Sequence, residues 1–128
     1  MLLLKKYATE LDARDNRLLT LRGVEILTDL QSANVSFNQL QSVRELLQCI
    51  SLRRLDASFN RLSRFEDVAS LTNLRELNIS HNSFTTLRDI DMLRDLESLN
   101  ASCNQITSIS DLGKLRKLRY AYLFGNRI

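Results

Sequence analysis

The sequence predicts an α/β solenoid of about six 22-residue turns, and three observations carry that expectation. Asn16, Asn38, Asn60, Asn82, Asn104 and Asn126 stand at a constant spacing of 22 residues. Apolar residues recur at fixed offsets from them, eight, five and three before each asparagine and two after it. Within each interval the apolar period changes from two to three. Period two marks a strand, and period three suits tight helical turns better than the α-helical 3.6. Self-similarity at this period means stacked units, here called rows one to six, that bury a shared core against their neighbours.

The elements follow in order along a row. Leu11 and Ala13, Ala33 and Val35, Leu55 and Ala57, Leu77 and Ile79, Leu99 and Ala101, Ala121 and Leu123 are the pairs five and three before each asparagine. Alternation with polar neighbours makes each stretch a short strand with these residues turned inward, and successive strands pair in parallel on the concave side of an arc. The pairs trade volume from row to row, so that adjacent layers interdigitate. The asparagine then ends the strand. Its amide is expected to bond the backbone of its own turn and of the next row, which makes the six asparagines a structural ladder.

After the asparagine the spacing of Leu62, Phe65, Val68 and Leu71 predicts short 3₁₀ or irregular turns on the convex side. Glu45, Asp67, Asp89 and Asp111 stand where those turns begin, and negative charge suits the first N–H groups of a helix.

The 128 residues contain no proline and no linker-like stretch, which implies a single domain over residues 1–128. Leu2 to Leu4 before Lys5 and Lys6 are too short for a signal peptide or a membrane span and are expected, with Tyr7, to cover the first row. The register places Cys49 and Cys103 three rows apart, on the order of 14 Å, too far for a disulfide. Free thiols without a secretion signal point to an intracellular location, cytoplasmic or cytoskeletal, with the nucleus as the other compartment, and no membrane partner. The N-x-S triplets at Asn34, Asn78 and Asn100 are placed on the strands by the repeat and are not expected to carry glycans.

The segments LDASFNRL (55–62), LNISHNSF (77–84), LNASCNQI (99–106) and YLFGNRI (122–128) resemble the 22-residue leucine-rich-repeat subclass named after a nuclear regulatory subunit of protein phosphatase 1. The chain is also similar to axonemal dynein light chain, centrosomal and ciliary scaffolds, a tubulin-folding cofactor and a spliceosomal subunit. The resemblance covers essentially the whole chain. It implies a leucine-rich-repeat solenoid and a scaffold for protein interaction in a cytoskeletal, ciliary or centrosomal assembly. It implies no shared chemistry, because the motif residues are the core frame. Members of the subclass usually close the stack with a cap after a G-N-P-I-like element, whereas here the chain reads Gly125, Asn126, Arg127, Ile128. The expectation is a fragment lacking that cap, with Leu118, Ala121, Leu123 and Ile128 exposed and available for self-association.

Functional positions are those the frame leaves free. Six before each asparagine stand Glu10, Ser32, Arg54, Glu76, Ser98 and Tyr120, and four before stand Asp12, Asn34, Asp56, Asn78, Asn100 and Tyr122. Two before stand Arg14, Ser36, Ser58, Ser80, Ser102 and Phe124, and all three columns are expected on the concave face. Tyr120, Tyr122 and Phe124 have the composition of interface hot spots. Phe37, Phe59 and His81, just before their asparagines, are the other candidates for holding a partner protein, although local packing at the strand edge explains them as well. The alternative surface is the basic edge where the strands begin, Arg53, Arg54, Arg75, Arg94, Arg116, Lys117 and Arg119, on a chain of net charge +3. Such an edge suits an acidic partner or, as a less favoured reading, RNA in a ribonucleoprotein. A phosphatase regulatory subunit is the third reading. One histidine, no nucleophile elbow, no phosphate loop and no metal cluster give no sign of an enzyme, a cofactor or a metal.

Overall fold

The computed structural model describes residues 7–128, so the expectation for Leu2 to Leu4, Lys5 and Lys6 lies outside the described residues. Six strands of three residues, β1 (Glu10–Asp12), β2 (Ser32–Asn34), β3 (Arg54–Asp56), β4 (Glu76–Asn78), β5 (Ser98–Asn100) and β6 (Tyr120–Tyr122), form one sheet in sequence order. Every pair is parallel and offset by one repeat, as in Leu55 opposite Leu77 and Leu77 opposite Leu99. The fold is a leucine-rich-repeat solenoid, as expected.

The convex turns are 3₁₀ at Val24–Ile26, Arg44–Gln48, Ile90–Met92 and Ser110–Lys114. Row three departs from this with a short α-helix, α1 (Phe65–Ala69). Phe65, Val68 and Ala69 are buried there, an i, i+3, i+4 set that only the wider α turn brings onto one face. Other rows carry Glu25, Leu47, Asp91 or Gly113 at the place of Ala69. Glu45, Asp67 and Asp111 lie in the first helical turns and Asp89 directly precedes one, where the spacing places them. None of Glu45, Asp67, Asp89 and Asp111 accepts a hydrogen bond from a first-turn N–H among the described residues. Asp67 instead accepts from the Ser42 hydroxyl at 2.8 Å, and Asp111 meets Lys114 at 3.4 Å.

Between sheet and turns runs one continuous apolar core from Leu21 to Leu115. Phe65 and Phe84 meet edge to face inside it, with ring centroids 5.7 Å apart. In the last row Leu118 and Leu123 are half-buried, and Ala121 and Ile128 are exposed.

The asparagine ladder stitches the rows together, but from Asn38 onward each asparagine reaches back to the row before it and not forward to the next. Asn60 donates from Nδ2 to the Val35 carbonyl of the row before at 3.0 Å and to Ala57 and Ser58 of its own row, both at 3.2 Å. Its Oδ1 accepts the Leu40 N–H at 2.9 Å. Asn38, Asn82, Asn104 and Asn126 repeat this bonding one row at a time. Asn16 bonds only its own row, through the Ala13 and Arg14 carbonyls, and is exposed.

Candidate concave interface

The pleat turns alternate strand residues toward the inside of the arc. There they line a shallow groove of about 380 Å³ that includes Ser32, Asn34, Arg54, Asp56, Asn78 and Tyr122. The columns six and four before the asparagines therefore face outward as expected. The third column does not: Ser36, Ser58, Ser80 and Ser102 are buried, Ser102 completely. The strand has already ended at these serines. In rows two to four the side-chain oxygen of Asn34, Asp56 or Asn78 accepts both the N–H and the hydroxyl of the serine two residues on, at 2.6–3.1 Å. This is an Asx turn, and the recurring N/D-x-S triplet was its signal in the sequence. Arg14 and Phe124, at the two ends of that column, are exposed.

The turn fixes the polarity of the groove. With Oδ1 committed to the serine, the Nδ2 groups of Asn34, Asn78 and Asn100 have no protein acceptor among the described residues.

Asp15, Phe37, Phe59, His81 and Cys103 all take a left-handed backbone with φ of 54–58°, and Gly125 joins them at 72°. Non-glycine residues pay roughly 1–2 kcal/mol for this conformation. In the first five of these residues it aims the N–H at a carbonyl of the following row, as with Phe37 to Ser58 and Phe59 to Ser80, both at 3.0 Å. Only Gly125 hinted at positive φ in the sequence. The side chains of three consecutive rows then stack. Phe37 and Phe59 lie 4.2 Å apart and 9° from parallel, Phe59 and His81 4.0 Å apart and 10° from parallel. Phe37 and Phe59 remain 51% and 39% exposed, so the stack is both local packing and open surface. Tyr120, Tyr122 and Phe124 are each more than half exposed, and Tyr122 lines the groove.

The basic edge divides into parts. Arg54 lies on the groove and meets Glu76 at 3.6 Å. Arg94 lines a separate depression with Thr72 and Met92. One Nη of Arg53 is buried without a partner among the described residues. Arg75, Arg116, Lys117 and Arg119 line one cleft together with Asp95 and Glu97. Lys117 contacts Asp95 at 2.7 Å, and this hydrogen bond and its charge, helped by Arg75 and Arg53, hold the Asp95 carboxyl below the usual carboxylate range.

Asp56 is committed to Ser58 and makes no hydrogen bond to His81 among the described residues. No group of histidine, cysteine, aspartate and glutamate among these residues could hold a metal ion. No helix is long and apolar enough to cross a membrane.

The two cysteines are free. Burial, and then the charge of Glu25, push the Cys49 thiol above its ordinary value. In native protein at neutral pH, iodoacetamide is expected to alkylate Cys103 and spare Cys49. Intact-mass analysis showing equal labelling at both would contradict the packing of row two.

Residues 50–95 match the family model described as leucine rich repeats, in two copies. No curated protein matches the chain. Among solved structures, an internalin (inlF) from Listeria monocytogenes is similar with a TM-score of 0.86 and 26% identity, over 91% of this chain and 35% of that one. Internalin C2 of the same organism gives a TM-score of 0.83 and 28% identity, over 87% of this chain and 49% of that one. The leucine-rich-repeat ectodomain of the receptor kinase SOBIR1 from Arabidopsis thaliana gives 0.66 and 30%, over 81% of this chain and 61% of that one. The chain thus spans about a third to a half of the two internalins.

Proposed function

We propose that the chain is a non-catalytic scaffold that holds a partner protein on its concave face, with Tyr120 and Tyr122 as principal anchors. The observation that carries this reading is the groove, where fixed amide donors and exposed tyrosines share one rigid sheet. Repeat solenoids use such extended concave surfaces for binding, and tyrosine contributes large contact area at low entropic cost. Phe37, Phe59 and His81 form a second, flanking contact strip. Phe124, exposed just past the end of β6, is a further contact.

The 22-residue spacing and the phosphatase-subunit-like segments support an assembly role of the cytoskeletal, ciliary or centrosomal kind. The two unbridged thiols fit an intracellular compartment. All 128 residues act in this reading as one domain.

The Tyr120→Ala/Tyr122→Ala double variant is expected to weaken partner binding at least about tenfold, roughly 1.4 kcal/mol, with an unchanged thermal midpoint. Calorimetry with a purified partner measures the affinity. Undiminished affinity in the double variant would remove the concave face as the binding surface.

A further inference from the structure

We propose that rows five and six take an acidic partner segment bearing an aromatic or large apolar side chain, its carboxylates on Arg75, Arg116 and Arg119 and its anchor on Tyr120 and Tyr122. This rests on the concave-face reading and names the chemistry of the occupant.

The charge balance of the cleft comes first. Arg75, Arg116, Lys117 and Arg119 share it with Asp95 and Glu97, which leaves two positive charges in excess. Lys117 is satisfied by Asp95 at 2.7 Å. Arg75, Arg116 and Arg119 have no carboxylate within ion-pair distance among the described residues. Each exposed guanidinium presents a planar fork of donors that matches a carboxylate.

Continuity with the groove comes second. Arg119 directly precedes Tyr120 at the start of β6, and Tyr120 and Tyr122 stand on the same face of that strand. The cleft thus ends one residue before Tyr120, and a segment seated in it would cross the strand-entry edge of β6 to reach the tyrosines.

The third observation is a charge division along the face. Its outward columns carry Glu10, Asp12, Asp56 and Glu76 in rows one, three and four, but only Ser98, Asn100, Tyr120 and Tyr122 in rows five and six. No residue after Asp111 is acidic. Asn100 adds an amide donor with no protein acceptor among the described residues. An acidic segment is thus accepted at the row-six end and repelled from the row-one end. Peptide carboxylates fit better than RNA, because Asp95 and Glu97 interrupt the cleft where a continuous phosphate chain would pass.

Fluorescence anisotropy with three labelled probes, a random glutamate–tyrosine copolymer, poly-glutamate and poly(U), tests the proposal on the whole chain. The copolymer is expected to bind about tenfold more tightly than poly-glutamate, a difference of roughly 1.4 kcal/mol. Arg116→Ala/Arg119→Ala should weaken both acidic polypeptides about tenfold or more and flatten their salt dependence. Tyr120→Ala/Tyr122→Ala should bring the copolymer down to the poly-glutamate level. All four positions are exposed, and an unchanged thermal midpoint checks that each variant is folded.

Poly(U) binding as tightly as the copolymer would overturn the proposal in favour of RNA, and no preference for the copolymer over poly-glutamate, or no binding, would overturn it outright. Copolymer binding that falls with the tyrosine pair but not the arginine pair overturns the acidic chemistry and leaves the concave reading standing. A fall with the arginines alone overturns both.

Discussion

Phe84→Ala is expected to lower the free energy of unfolding by about 3–5 kcal/mol, the range for deleting a fully buried phenylalanine. Phe84 is completely buried and stands in the column two after the asparagines, where every other row carries leucine or isoleucine. Its ring also meets Phe65 edge to face, a contact worth roughly 0.5–1.5 kcal/mol beyond the area buried. In a solenoid each row is held by its neighbours, so a cavity in row four weakens the coupling of the rows on either side. Urea denaturation should therefore show a lower midpoint and a shallower slope than the parent. A loss below about 1.5 kcal/mol, well under the usual cost of such a deletion, would mean that neighbouring rows collapse into the space.

The second large effect belongs to the asparagine ladder. Asn104 is 7% exposed, and its Nδ2 donates to the carbonyls of Ile79, Ala101 and Ser102 at 3.0, 3.1 and 3.2 Å. Its Oδ1 accepts the Phe84 N–H at 3.0 Å. Asn104→Ala strands these groups away from water, with an expected cost of about 3 kcal/mol, the upper end for one orphaned partner. Asn16→Ala removes two bonds at an exposed position and should cost under about 0.5 kcal/mol. Equal losses at the two positions, measured side by side in urea, would show that the inter-row bonds carry no weight.

The strand register was legible to the residue, because period two next to a 22-residue spacing leaves a single parallel pairing that turns the strand leucines inward. The ladder was legible for the same reason: only a side chain that both donates and accepts can serve two rows at once. What escaped was the point at which the strand ends. Extrapolating period two past Asn34, Asp56 and Asn78 placed the next serines outward. The Asx turn instead closes within two residues and buries them. The left-handed backbone at Phe37, Phe59 and His81 escaped too, since bulky residues seldom adopt it and only Gly125 in that column gave a sign.

At the candidate site, the column positions of Tyr120 and Tyr122 could be read from spacing alone. The pairing of the charges could not. That Lys117 is taken by Asp95 while Arg75, Arg116 and Arg119 stand free depends on side-chain reach across rows, which a one-dimensional pattern does not contain. The helical turn α1 was missed because Leu62, Phe65, Val68 and Leu71 fit period three, whereas burial of Ala69 beside Phe65 and Val68 belongs to an α turn.

Site-specific photocrosslinking tests most directly where the partner sits. A benzoylphenylalanine placed at Tyr122 on the concave face, and at Met92 on the convex face as an exposed control, is irradiated in native extract. Adducts formed from position 122 and missing from position 92 are the expected result. Adducts formed equally from both, or from position 92 alone, would contradict a binding surface on the inside of the arc.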